Sequence, residues 1–174
     1  SAANIVYEID GQPALDLYKK YLGDYAKKLP NSGLRFPLSI KQYDDDPEVI
    51  RSMITISEED KSITFGGDVP TGFKARLMKP NLDSLIDGAG MAAQQIRKSN
   101  TSLALGLVVS CEGRKLVMGE MVEEELEALE DVLGKNVLLR GFYSHGEVSP
   151  MNGRDNKSSL HNQTMTLTTI YEDE

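Results

Sequence analysis

The sequence predicts an α+β fold, a mixed and largely antiparallel sheet with about three helices packed on its faces. Three observations carry this. Short apolar-alternating runs around Ile50–Ile56 and Ile63–Phe65, joined by a polar connection, read as a hairpin and favour antiparallel pairing. A strand–helix–strand–helix–strand pattern from Phe73 to Phe142 adds a parallel part. Three segments carry apolar residues at helical spacing, and no internal repeat or second-domain linker interrupts the 174 residues, so residues 1–174 are expected to form one domain.

Ile5, Tyr7 and Ile9 alternate with polar or smaller residues and predict a strand over 4–9, ended by an Asp10-Gly11 turn. Pro13 suits the start of a helix whose stripe is Ala14, Leu17, Tyr18, Tyr21 and Leu22, with Gly23 as its stop. Asp24 to Gly33 reads as a polar connection. Phe36, Leu38 and Ile40 predict a strand to Gln42. Asp44-Asp45-Asp46-Pro47 lacks the spacing and the glycine of a calcium loop and reads as a solvated turn. Gly66 to Gly72 lacks the Lys-Ser/Thr ending of a phosphate loop and reads as turn geometry. Phe73, Ala75 and Leu77 alternate as another strand.

Asn81 is placed to cap a second helix with the stripe Leu82, Leu85, Ile86, Ala89, Ala93 and Ile96. Gly88 and Gly90 weaken it by about 1 kcal/mol each relative to alanine, which suggests close helix–sheet packing. Ser99-Asn100-Thr101 is its expected end. Leu103 to Val109 is apolar at nearly every position and predicts a central strand covered on both faces. A third helix runs from Leu116 or Gly119 to Leu133, buried through Val122, Leu126, Leu129 and Leu133, with Gly134 as its stop. Its acidic run, Glu120 to Asp131, reads as a solvated face. Val137 to Phe142 predicts a strand, Gly146 to Ser159 a mobile loop, and threonine-rich Leu160 to Ile170 one long strand before a frayed acidic tail.

Composition narrows function. The hydrophobic fraction of 40% and charged fraction of 26% suit a globular fold. A net charge of −8 opposes binding to nucleic-acid phosphates and to anionic membranes. The apolar run Leu103–Val109 is far short of the ~20 residues of a membrane helix. With one cysteine, Cys111, no internal disulfide can form, which fits a cytoplasmic setting. The chain opens Ser-Ala-Ala and its first methionine is Met53, so it is expected to be a piece of something longer.

Ser110-Cys111-Glu112-Gly113-Arg114, the Glu125-Leu126-Glu127-Ala128-Leu129 helix, Gly141-Phe142-Tyr143-Ser144-His145-Gly146-Glu147 and Leu160-His161-Asn162-Gln163-Thr164 together resemble the C-terminal half of the FIST domain family. The opening Glu8-Ile9-Asp10-Gly11-Gln12-Pro13-Ala14-Leu15-Asp16 with Leu22-Gly23 is similar to that family's start. The resemblance implies an intracellular sensory module for small ligands such as amino acids. It also implies partners: an N-terminal FIST domain and a signalling output protein.

Toward such a ligand the expected binding set is Ser110, Cys111, Arg114, Tyr143, Ser144, His145, Glu147, His161, Asn162 and Gln163. Arg114 offers a fork to a carboxylate and Glu147 an acceptor to an ammonium. The serines and amides supply neutral hydrogen bonds, and Tyr143 with Phe142 an apolar wall. Alternatively, Arg114 and Glu147 pair with each other and the histidines are structural. No cofactor, metal or catalytic residue is expected. Two rival functions stay open. One is a hydrolase or amidase using Cys111 with His145 or His161, set against a cysteine that simply packs. The other is a protein–protein interaction module presenting the acidic helix to a basic partner.

Overall fold

The computed structural model describes residues 1–96, 103–134, 137–150 and 158–171. The expected end of the second helix at Ser99–Thr101, residues 151–157 of the 146–159 loop and the last three tail residues lie outside the described residues. Among the described residues the chain forms two compact units: Ser1–Pro80 with Val148–Asn162, and Asn81–Glu147 with Gln163–Glu174. Among the described residues six strand pairs are antiparallel and one is parallel, which is consistent with an α+β fold.

In the first unit, β1 (Ile5–Val6) is followed by the hairpin β2 (Glu8–Ile9) and β3 (Gln12–Pro13). Asp10 and Gly11 turn it with φ of 50° and 72°, both left-handed, which is why glycine follows the aspartate here. Helix α1 (Ala14–Leu22) ends at Gly23, φ 56°. Residues 23–35 are not a plain connection but two 3-10 helices, Gly23–Lys28 and Asn31–Arg35. Then come β4 (Leu38–Lys41), β5 (Val49–Arg51), β6 (Met53–Ile56), β7 (Ile63–Phe65) and β8 (Lys74–Leu77).

These strands form two sheets, β5–β4–β8 and β1–β7–β6. The expected single strand Ile50–Ile56 therefore divides. Its halves join different sheets because Ser52 N–H donates to the Asn162 side chain, 3.2 Å away, and not to a ladder. The core gathers Leu15, Tyr18 and Leu22 of α1 against Leu38, Ile40, Met53, Ile63 and Phe65. Tyr18 meets Phe65 edge-on at 6.2 Å. Strands β11 (Glu147–Pro150) and β12 (Ser158–His161) form a further two-stranded sheet.

The second unit opens with α2 (Leu82–Ile96), capped by Asn81 Oδ1, which accepts from Ser84 N–H at 3.2 Å. It continues through β9 (Leu103–Cys111), α3 (Glu112–Met118), α4 (Val122–Leu133), β10 (Leu138–Ser144) and β13 (Met165–Tyr171). The sheet order is β10–β9–β13, parallel on one side of β9 and antiparallel on the other. Ala89 and Ala93 of α2, Leu129 of α4 and Val108 of β9 make its core.

Several expectations change here. Strand β9 is central but covered on one face only: Val108 and Ser110 are buried while Leu107 is 38% exposed, because the helices lie on a single side. Gly88 has open space where a side chain would stand, and Gly90 faces the Ala128 carbonyl of α4, so neither marks helix–sheet packing. The expected third helix is two. α3 starts directly after β9, and Gly119, at φ 59°, separates it from α4. Leu126 is exposed and Glu125 takes the buried position in its place. The long strand expected over Leu160–Ile170 breaks at Gln163, φ 54°, into β12 and β13.

Candidate ligand-binding site

Strand β9 delivers Ser110 and Cys111 to the start of α3, and α3 carries Arg114 one turn later. The Arg114 guanidinium is buried, 5% exposed, and donates from Nε to Glu125 Oε1 at 2.5 Å. Its Nη2 donates to the Leu85 carbonyl of α2 at 2.8 Å. The other oxygen of Glu125 accepts from Ser110 Oγ at 3.1 Å. The expected alternative partner of Arg114 was Glu147; the observed partner is Glu125. Sequence reading placed Glu125 on the solvated acidic face. Its offsets of three and four from half-buried Ala128 and buried Leu129 were the available signal that it shares their stripe.

Beside this triad lies a cavity of about 210 Å³ between α4 and the β9–β10 pair. Val108, Ser110, Glu125, Leu126, Leu139, Arg140, Gly141, Phe142 and Tyr143 line it. Gly141 cannot be replaced without cost: a Cβ there would stand 1.9 Å from the Val108 carbonyl oxygen. The Tyr143 ring carries the Lys115 ammonium 4.7 Å from its centroid. Burial, then the charges of Glu125 and Glu112, push the Tyr143 phenol above its usual value, so it stays a hydrogen-bond donor.

A second cluster closes the same end of the unit. Buried Glu147 accepts from Ser144 Oγ at 2.6 Å and from Thr164 Oγ1 at 2.8 Å, and Cys111 N–H donates to the Thr164 carbonyl at 3.0 Å. Gln163 packs against Gly113, where an added Cβ would meet its Cγ at 3.1 Å. Cys111 is 3% exposed. Burial pushes its thiol up, and the Glu147 charge adds to this, while backbone N–H groups of Gln163, Gly113 and Arg114 act the other way.

Of the expected set, Ser110, Cys111, Arg114, Tyr143, Ser144, His145, Glu147 and Gln163 belong to the second unit, and His161 and Asn162 to the first. His145 is exposed. His161 Nε2 shares hydrogen bonds with Ser159 Oγ (3.0 Å) and the Ser149 carbonyl (3.1 Å). Asn162, 1% exposed, donates its amide hydrogens to the Gly66 and His161 carbonyls, and its oxygen accepts from Ser52 N–H. Only Ser110 and Tyr143 of the set line the cavity; Val108, Glu125, Leu139 and Gly141 were not anticipated. Among the described residues no group of three or more His, Cys, Asp or Glu is placed to hold a metal ion, and no helix is long and apolar enough to cross a membrane.

The chain has an α+β fold and is of the signal-transduction sensory class. It belongs to the FIST C domain family, whose model matches residues 14–150. That span holds the triad, the cavity and Glu147, and ends before β12 and β13. No curated protein matches the chain, and no solved structure does.

Proposed function

We propose that this chain senses a small molecule bearing a primary ammonium group, an amino acid among them, and that the ligand seats in the cavity between α4 and the β9–β10 pair. One observation carries the reading: a buried carboxylate, Glu125, borders a largely apolar hollow. A carboxylate offers roughly four acceptor positions; Arg114 faces Oε1 through both Nε and Nη2 and Ser110 takes one at Oε2, so Oε2 keeps a position for a ligand. Arg114 and Ser110 hold the Glu125 carboxylate in place beside the hollow, where a ligand N–H can reach it. Ser110 and Tyr143 supply hydroxyls, and Val108 and Leu139 supply apolar walls. A cavity of about 210 Å³ suits a ligand smaller than a drug-sized one, whose sites begin at roughly 300 Å³. Arg114 and Glu147, the charged pair expected to grip the ligand, act here as supports for the walls. Nothing in this reading asks for catalysis, and a thiol held neutral by burial suits a reducing, cytoplasmic compartment.

The test is calorimetric titration with the twenty amino acids and with the amines that lack their carboxylate. Binding that weakens in Ser110→Ala and in Leu126→Trp, which crowds the mouth from an exposed position, supports the site. Unchanged affinity in both variants moves the ligand elsewhere, and no binding by any amine at millimolar concentration removes the reading.

A further inference from the structure

We propose that β10 is a self-pairing edge, along which two copies of this chain join antiparallel about a twofold axis at Gly141. The inference goes beyond the ligand reading and does not depend on it. Among the described residues, in the order β10–β9–β13, β10 has a neighbour on one side only. Leu138, Arg140, Gly141, Phe142 and Tyr143 are all exposed, while Leu139 packs toward the helices, so the strand is open along its edge and on the face away from α4. Over seven residues it has no proline and a single charge, Arg140. The usual devices that keep an edge from pairing, such as a short strand, several charges, a proline or a bulge, are missing.

The side chains select the partner and the register. Across a twofold, antiparallel pairing places equal offsets from the axis opposite each other. An axis at Arg140 would set guanidinium against guanidinium, which is unfavourable for directly opposed residues. An axis at Phe142 would leave Leu138 beyond the paired strand. An axis at Gly141 overlaps the whole of β10, and it sets each Arg140 opposite the second copy's Phe142, cation over ring, on both sides of the axis. Leu139 then meets the second copy's Tyr143. Gly141 stands where the two backbones pass, and adds no side chain at the crossing. The paired edge is about 24 Å long and buries less than the ~800 Å² per partner of a standard interface, so the dimer should depend on concentration.

Sedimentation equilibrium of the whole chain, from micromolar to near-millimolar concentration and without ligand, is the test. A reversible monomer–dimer equilibrium is expected. Arg140→Glu should weaken it by about tenfold, and adding Phe142→Lys in the same chain should restore it, because opposite charges then face each other across the axis. Hydrogen exchange on the unsubstituted chain gives a check free of any folding defect: the 138–144 amides should gain protection as concentration rises. A monomer at every concentration, or species that grow past the dimer, overturns the proposal. A double variant no tighter than Arg140→Glu alone overturns the register.

Discussion

Arg114 and Glu125 meet inside the second unit, Nε to Oε1 at 2.5 Å, with exposures of 5% and 2%. Taking either partner away leaves the other charge buried and alone. Arg114→Ala or Glu125→Ala should therefore cost about 3–5 kcal/mol in urea unfolding. The paired replacement Arg114→Met with Glu125→Leu should recover most of that loss. Single variants within about 1 kcal/mol of the parent would show that water reaches the pair.

Glu147 holds the end of β10 to the start of β13 through Ser144 and Thr164. Glu147→Ala strands both hydroxyls and should cost about 2 kcal/mol, a fall in melting temperature of roughly 4–8 °C. Glu147→Gln keeps an acceptor and should lose less. Equal losses in the two variants would assign the effect to the missing charge.

Cys111 should resist iodoacetamide at neutral pH and react quickly once the chain is unfolded. Its pH effect has a definite sign. Burial raises the folded thiol above the ordinary value of 9.0, so the folded chain keeps its proton longer than the unfolded one. The thiol's contribution to stability is complete below pH 9.0 and declines as pH rises toward the folded value. Unfolding of Cys111→Ala measured across this range should show a shallower alkaline decline than the parent. Fast labelling of the folded protein would instead favour an activated nucleophile.

Two glycines give opposite outcomes. Gly141→Ala drives a Cβ into the Val108 carbonyl and should destabilise by about 3 kcal/mol or more. Gly88→Ala meets open space on α2 and should stabilise by up to about 1 kcal/mol. Denaturant midpoints read both, and a neutral Gly141→Ala would mean that β9 and β10 are not held as closely as described.

Much of the fold was written in local pattern. The stripe Ala14–Leu22 with Gly23 became α1, Asn81 capped α2, and the apolar run from Leu103 became the central strand. Each of these rests on interactions within a few residues, which a linear reading can see. The misses share a cause. Ser52 ends one ladder because Asn162, 110 residues away, takes its N–H. Glu125 is buried because Arg114 and Ser110 arrive from another element. β9 looked covered on both faces because hydrophobicity reports that a residue can be buried, not whether a helix is there to bury it.

The site divides the same way. Residue types and their order were enough to mark Ser110, Arg114, Tyr143 and Glu147 as chemically loaded and to carry the family likeness. Which acid faces Arg114, and which residues border the hollow, followed only from the packing of α3 and α4 against β9 and β10. Charge pairing and cavity shape depend on distances across the sheet, and side chains many positions apart settle those distances only when the chain has closed on itself.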